Sequence, residues 1–401
     1  MNCINIRRKS LSLYVHIPFC VKKCNYCDFL SGPATEETKR SYVKALCKEI
    51  SAYTKIADQY EVKTIFIGGG TPSSIKATEI KQIMNTIINV FQISKEQLEQ
   101  IETTIEINPG TITDEKMKTY YECGINRISF GLQSANDREL KMLGRIHTFE
   151  EFVMNYELAR NIGFMNINID LMSALPGQTK DSYINTLQKV LALHPEHISA
   201  YSLIIEEGTP FYELYGENAT GKQKEALPSE EEERAMYEVT KTILSQYGYE
   251  RYEISNYAKA DYECKHNCVY WQRGEYLGFG TGAASLLKEN RFTNIADIKE
   301  YIDLLSTNQS DFDLSRLRLE TTKLDQASQM EEFMFLGLRM MNGVSKKRFQ
   351  ETFHKKIEEV YGQVLHKLEE EQLIIISEDG IALTERGIDI SNYVMSEFLF
   401  G

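Results

Sequence analysis

The sequence predicts an α/β chain: a partial (β/α)6, TIM-like barrel followed by a smaller α+β domain of winged-helix type. Three observations predict it. Short apolar, β-branched runs recur at residues 11–17, 64–67, 104–107, 127–130, 166–171 and 198–204, separated by longer and often amphipathic segments such as 37–54 and 181–193. That alternation is the pattern of parallel strands with crossover helices. Next, most of these runs lead at once into residues that a plain connector does not need. Finally, helical periodicity takes over from residue 330 and ends in a short apolar pair of runs at 373–377 and 380–383, a β-wing pattern. Six units fall short of the eight that close a barrel. A doubly wound open sheet is the alternative.

The residues after each run favour the barrel. Cys20, Cys24 and Cys27 follow the first run, and Gly68-Gly69-Gly70-Thr71-Pro72 the second. Asn108-Pro109 follows the third, Gly131-Leu132-Gln133-Ser134 the fourth, and Asp170 lies at the end of the fifth. The C-terminal ends of parallel strands share one face, where active sites of such folds lie. Beyond residue 210 the pattern changes. Residues 206–233 are polar and charged, a loop and an exposed helix start, and 251–282 are rich in Tyr and Gly. Three regions are expected: 1–210, 211–325 and 326–401.

With 401 residues and 42% hydrophobic content, the chain supports a large core without disulfide staples. Its net charge of −13 argues against a nucleic-acid binder, which needs clustered Lys and Arg. Residues 331–401 alone carry a net −5, so the winged-helix-like region is not expected to bind DNA. No run of about 18 uncharged apolar residues suggests a membrane span. The basic patch Arg7, Arg8, Lys9 precedes a short apolar stretch broken by His16, Pro18 and Cys20, unlike a signal peptide. A cytoplasmic location is expected. The eight cysteines lack the spacing of a disulfide framework, and three of them cluster like metal ligands.

That cluster reads C-x3-C-x2-C over Cys20, Cys24 and Cys27. Three thiolates this close can hold three irons of a [4Fe–4S] cube and leave the fourth open to an outside ligand. Zinc is the alternative, but a structural zinc site usually takes four protein ligands, of which His16 could supply the fourth. Gly68 to Gly70 end a strand and let backbone approach a ligand. Glu106 and Asp170 are strand-end carboxylates suited to an amino group or ribose hydroxyls. Gln133 can donate and accept, and Arg145 can pair with a carboxylate. Taken singly, each could be structural; their joint place on one rim points to a ligand site.

A second constellation reads Cys264-Lys-His266-Asn267-Cys268-Val-Tyr270-Trp271. A lone histidine near aromatics is more often a packed loop than a ligand. An imidazole with a flat aromatic wall nevertheless suits a haem iron, with Asn267 orienting the ring or capping a helix. Cys264 and Cys268 are read as ordinary loop cysteines. Gly278-Phe-Gly280-Thr-Gly282 lacks the Lys-Ser/Thr ending of a phosphate loop and is read as close backbone packing.

The Cys20–Cys27 spacing resembles the signature of the radical S-adenosylmethionine (SAM) superfamily. Tyr14-Val-His16-Ile-Pro18-Phe-Cys20, Gly68-Gly-Gly-Thr-Pro72, Glu106-Ile-Asn108-Pro109 and Asp170-Leu-Met-Ser-Ala-Leu-Pro176-Gly177 resemble its anaerobic coproporphyrinogen oxidase group. His266-Asn267-x-x-Tyr270-Trp271 resembles the haem-binding signature of the haem chaperone (HemW) branch. The resemblance implies a [4Fe–4S] cluster on Cys20, Cys24 and Cys27. It implies SAM contacts at Gly69, Gly70, Thr71, Glu106, Gln133, Arg145 and Asp170, with Tyr26 packing on adenine and Tyr14 near the cofactor. It further implies haem held at His266 and passed to apo-haem proteins such as cytochromes. Peripheral membrane association would fit respiratory recipients, although no amphipathic anchor stands out. The alternative within the group is an oxygen-independent coproporphyrinogen III oxidase. Against it, Asp28-Phe29 follows Cys27 where that branch carries Gly-Cys, and only 19 residues precede Cys20.

Overall fold

The computed structural model describes residues 8–306 and 312–400. Cys3 and Arg7 lie outside the described residues. Six parallel strands form the body: β1 (Lys9–Ile17), β2 (Tyr60–Gly69), β3 (Glu102–Ile107), β4 (Arg127–Gln133), β5 (Ile167–Ser173) and β6 (His197–Ser202). They pair in chain order, β1 to β6, each joined to the next through at least one helix. The partial (β/α)6 barrel expected from the alternation is therefore present.

Local sequence sets the helix starts. Thr113, Thr148 and Thr179 each place a hydroxyl on a backbone N–H of the first turn of the helices Asp114–Glu122, Phe149–Ile162 and Lys180–Leu191. Glu151 and Ser182 complete reciprocal capping boxes at the last two. Along the strands, side chains alternate between two faces. Leu11, Leu13, Val15 and Ile17 of β1, Ile65 and Ile67 of β2, and Ile128 and Phe130 of β4 are buried apolar residues packed on the helical layer. Most of the alternate positions are polar and interlock inside the barrel: Thr64 Oγ1 donates to Ser12 Oγ at 2.7 Å, and Asn168 Nδ2 donates to Ser129 Oγ at 2.8 Å and to Asp170 Oδ1 at 2.7 Å. The interior is thus a polar lumen at its centre and an apolar shell outside it.

Residues 211–325 extend the same sheet at both edges. On one edge, β7 (Glu250–Arg251) and β8 (Asn256–Ala258) run antiparallel beyond β6. On the other, β9 (Tyr276–Phe279) lies parallel to β1 and is followed outward by β10 (Ala284–Leu287), β11 (Asn290–Asn294) and β12 (Arg318–Lys323). The Gly278–Gly282 segment packs closely there. A Cβ on Gly280 would sit 2.4 Å from the Tyr42 hydroxyl and 2.8 Å from the His16 carbonyl.

A buried carboxylate ties this extension to the barrel. Glu49, on the helix Glu36–Ala52, accepts from Gly280 N–H at 2.8 Å, Asn294 Nδ2 at 2.7 Å and Tyr301 Oη at 2.5 Å. Glu49→Ala would strand three buried donors and is expected to cost about 3 kcal/mol or more. Denaturant unfolding of the full chain checks this; a loss within about 0.5 kcal/mol would show that the network contributes nothing.

The C-terminal region has its own core, from Met330 and Phe333 to Val394 and Phe398. Helices surround a small sheet of β13 (Val344–Ser345), β14 (Ile374–Ile376) and β15 (Gly380–Leu383), in the order β13-β15-β14. It meets the barrel extension through Glu332, which accepts from Arg273 Nε at 3.0 Å and Arg291 Nη1 at 2.6 Å.

Candidate functional site

The loop after β1 is held by the fold itself. Cys20 N–H donates to Gly32 O at 2.9 Å and Gly32 N–H to Pro18 O at 3.0 Å, closing its base. Its middle is anchored on Asn25, whose N–H donates to Leu143 O at 2.9 Å and whose Nδ2 donates to Met142 O at 2.8 Å. Cys20, Cys24 and Cys27 are free thiols and line one cavity of about 400 Å³ at the C-terminal ends of the strands. Among the described residues, no three His, Cys, Asp or Glu side chains converge closely enough to hold a single metal ion. Three thiols around one cavity can each hold a separate iron of a cluster, whereas a structural zinc site usually takes four protein ligands. The fourth zinc ligand considered above is also taken. His16 Nδ1 bonds the Tyr14 hydroxyl at 3.0 Å and Nε2 bonds Leu30 O at 3.0 Å.

Glycines keep the floor of this cavity low. A Cβ on Gly70 would lie 2.9 Å from Phe19 O and 3.1 Å from Cys20 Sγ, and one on Gly69, at φ +110°, would strike the His16 ring. Thr71 Oγ1 donates to Cys20 Sγ at 3.5 Å.

Tyr26, Glu106, Gln133, Arg145 and Asp170 line the same cavity, together with Gly69, Gly70 and Thr71. Arg145 donates Nη2 to the Gly131 carbonyl and Nη1 to Cys24 Sγ at 3.5 Å, while its buried Nε has no partner. An Arg with a spare donor beside the cysteines is suited to a ligand carboxylate. Gln133 sits at φ +74°, where a register shift between Gly131 and Gln133 interrupts the β4–β5 ladder. The bulge re-aims this side chain into the mouth. Glu106 accepts Gly69 N–H at 3.0 Å, and Asp170 accepts from Asn168 and Ser129. Burial, then the neighbouring Asp170 charge, pushes the Glu106 carboxyl up to about 8, and burial raises Asp170 as well. Two buried carboxylates on one wall call for a cation or a pair of hydroxyl donors between them. The amino group and ribose of SAM supply both.

Tyr14 and His266 lie elsewhere. They line a second chamber of about 210 Å³ in the lumen below, which shares Glu106, Asp170 and Tyr201 with the upper cavity. His266 is on the helix Lys265–Trp271, whose N-terminal end is capped by Glu102: Lys265 N–H and His266 N–H donate to its carboxylate at 3.1 and 3.0 Å. The imidazole is 1% exposed. Its Nδ1 bonds Thr64 Oγ1 at 2.7 Å and its Nε2 bonds the Tyr270 hydroxyl at 2.9 Å. Burial and the nearby Arg127 charge pull it down to about 3, so the ring is neutral. The sequence suggested an imidazole offering a nitrogen to haem beside a flat aromatic wall. In the folded chain both nitrogens are engaged, Tyr270 meets His266 edge-on at 89°, and Trp271 lies instead beneath the Arg339 guanidinium at 4.3 Å. Cys264 and Cys268 are poor nucleophiles, since burial pushes both thiols up to about 12.

Sequence reasoning missed the rest of the lumen: Arg127, Ser129, Asn168, Ser199 and Tyr201. The signal was present as period-two spacing of polar residues, in Arg127-x-Ser129, Asn166-x-Asn168 and Ser199-x-Tyr201, inside runs read only for their apolar content.

Residues 14–190 match the family model described as the radical SAM superfamily, and residues 324–390 match the HemN C-terminal domain. A curated relative, the heme chaperone HemW of Bacillus subtilis (strain 168), is 39% identical over 97% of this chain and 99% of its own length. The heme chaperone HemW of Lactococcus lactis subsp. lactis (strain IL1403) is 36% identical over 98% of each. Among solved structures, coproporphyrinogen III oxidase (HemN) from Escherichia coli superposes with a TM-score of 0.82 over 98% of this chain and 90% of that chain, at 23% identity, a likeness of fold. No helix among the described residues is long and apolar enough to cross a membrane. With a cysteine loop built for a cluster and near full-length identity of this order, the chain belongs to the heme chaperone HemW family of the radical SAM superfamily.

Proposed function

We propose that this chain binds haem and hands it to apo-haem proteins such as cytochromes, carrying a [4Fe–4S] cluster on Cys20, Cys24 and Cys27 and SAM beside it. The observation that carries the cofactor reading is one cavity holding the three thiols, the spare donor of Arg145 and the carboxylates of Glu106 and Asp170. Arg145 and Gln133 would hold the SAM carboxylate end, Glu106 and Asp170 its amino group and ribose, and Tyr26 its adenine. Gly69, Gly70 and Thr71 leave room for the backbone to approach it. When bound, the cluster supplies an open iron site and a one-electron donor. The cargo reading rests on the relatives, which are named heme chaperones over nearly their whole length. We place the activity in the cytoplasm, where thiols of this kind stay reduced.

The test is an anaerobic titration of cluster-reconstituted chain with haem, followed by mixing with an apo-cytochrome. Saturable binding followed by transfer of the haem absorbance to the cytochrome is expected. Absence of saturable binding would overturn the reading. Product analysis with coproporphyrinogen III would then decide whether the chain is an oxidase.

A further inference from the structure

We propose that His197 is a positioning residue for SAM: its Nδ1–H locks the Asn168 amide, and Asn168 in turn holds the Asp170 carboxylate set for its ligand. The inference rests on the SAM reading above and adds the residues that prepare Asp170.

Period-two spacing turns Asn168 and Asp170 of β5 and His197 and Ser199 of β6 into the lumen, and Asn168 is the register partner of His197. His197 is 1% exposed and Asn168 3%, so water cannot replace a bond lost at either. The Asn168 amide uses its full hydrogen-bonding capacity. Its Nδ2 donates to Asp170 Oδ1 at 2.7 Å and to Ser129 Oγ at 2.8 Å. Its Oδ1 accepts from Ser199 Oγ at 3.1 Å and lies 2.6 Å from His197 Nδ1. Ser129 passes a further bond to Asp170 Oδ2 at 3.3 Å, so both carboxylate oxygens are held from Asn168.

The carboxylate fixes which way the amide faces, and the amide fixes the imidazole. An ionised Asp170 only accepts, so the Asn168 NH2 must be turned to it. Asn168 Oδ1 then faces His197. An amide oxygen also only accepts, so His197 carries its proton on Nδ1. Nε2 is left to accept from the Tyr252 hydroxyl at 2.8 Å, and the Tyr252 oxygen takes the Cys264 N–H at 3.2 Å. Burial and the Arg127 charge keep the ring neutral, as this arrangement requires. Tyr252 is thus a lock on the tautomer, because its O–H occupies the nitrogen where the proton would otherwise sit. Without the Nδ1 donor, the amide is free to turn its oxygen to Asp170 and repel the carboxylate from its place. Neither His197 nor Tyr252 lines the cluster cavity, so their effect on SAM has to pass through Asn168.

The experiment measures SAM affinity by calorimetry on cluster-loaded full chain. A Gln amide reaches the place of the imidazole Nε2 and misses that of Nδ1; an Asn amide does the reverse. His197→Gln should bind SAM about tenfold more weakly, the order expected of one buried hydrogen bond lost. His197→Asn, which again donates to Asn168, should recover most of that loss. Both variants lose the ring and its packing, so a purely structural role would weaken both alike, and that result would overturn the proposal. Tyr252→Phe should weaken SAM binding by a smaller factor and add nothing to His197→Gln, since the two act in series. Additive losses would overturn the lock. Nitrogen NMR on histidine-labelled chain serves should the His197 variants fail to fold. The ring signal that Tyr252→Phe shifts should be a neutral imidazole protonated on Nδ1 in wild type, and a proton on Nε2 would overturn the proposal with the SAM reading intact. A cluster-loaded wild type that binds no SAM would instead overturn the SAM reading, and the positioning role with it.

Discussion

Replacing Cys24 by alanine is expected to leave a folded chain with almost no iron or inorganic sulfide after anaerobic reconstitution. The two halves of that expectation have separate causes. The loop keeps its shape without metal, since its base is closed by the Cys20–Gly32 and Gly32–Pro18 backbone bonds and its middle by Asn25 on Met142 and Leu143. Melting temperature should therefore change little relative to the unreconstituted wild type. Cluster retention has no such redundancy. A [4Fe–4S] cube with one open iron already uses the minimum of three thiolates. His16, four residues before Cys20, has both nitrogens bonded. Metal binding also has to draw a proton from Cys27, whose thiol is raised by burial and by the thiols beside it, so reconstitution should improve with rising pH. Iron and sulfide analysis with circular dichroism checks the variant. Wild-type iron content in Cys24→Ala would remove the loop from the cluster site.

The parts of this molecule that were legible in its sequence are those set by local pattern. Runs of β-branched residues located all six barrel strands, because parallel strands covered by helices must be apolar on the outer face. Extents were less legible. The run at 64–67 belongs to a strand that begins at Tyr60, because Glu61 and Lys63 point outward to water and break the apolar run. Strand β12 was invisible, since nearly every residue from Arg318 to Lys323 is exposed and its pairing depends on β11, not on its own composition. At the site, the cysteines, Glu106, Gln133, Arg145 and Asp170 were legible because strand ends and short motifs place them. Tyr14 precedes the end of β1 by three residues, about 10 Å along a strand, and so lines the lower chamber, which shares Glu106 and Asp170 with the upper cavity. The surroundings of His266 were not legible, because they are assembled from Thr64, Glu102 and Arg127, remote in sequence and brought together only by barrel closure.

SAM affinity is expected to rise with pH between about 7 and 9, and Glu106→Gln to abolish that dependence. In the unliganded chain the Glu106 carboxyl is pushed up to about 8, first by burial and then by the charge of Asp170. Sharing a wall with a second carboxylate, it holds its proton at neutral pH. A ligand that brings an amino group or donates ribose hydroxyls requires the ionised form, so binding at pH 7 releases a proton. One unit below the carboxyl's own value, affinity should be about tenfold weaker than the plateau reached above it. The stability of the unliganded protein runs the other way. Because the folded chain raises this carboxyl from 4.5 to about 8, its contribution is complete below 4.5 and is lost as pH climbs toward 8. The unliganded protein should soften over the range in which SAM protects it most. Glu106→Gln removes the titrating group and keeps an acceptor for Gly69 N–H, so its weaker affinity should be flat with pH and its melting temperature less sensitive to it. Calorimetric titrations with cluster-loaded protein at several pH values, paired with thermal melts of the unliganded form, measure both curves. An affinity that stays pH-independent in wild type would mean that Glu106 enters the complex uncharged, and the assignment of its carboxylate to the amino group and ribose would fall.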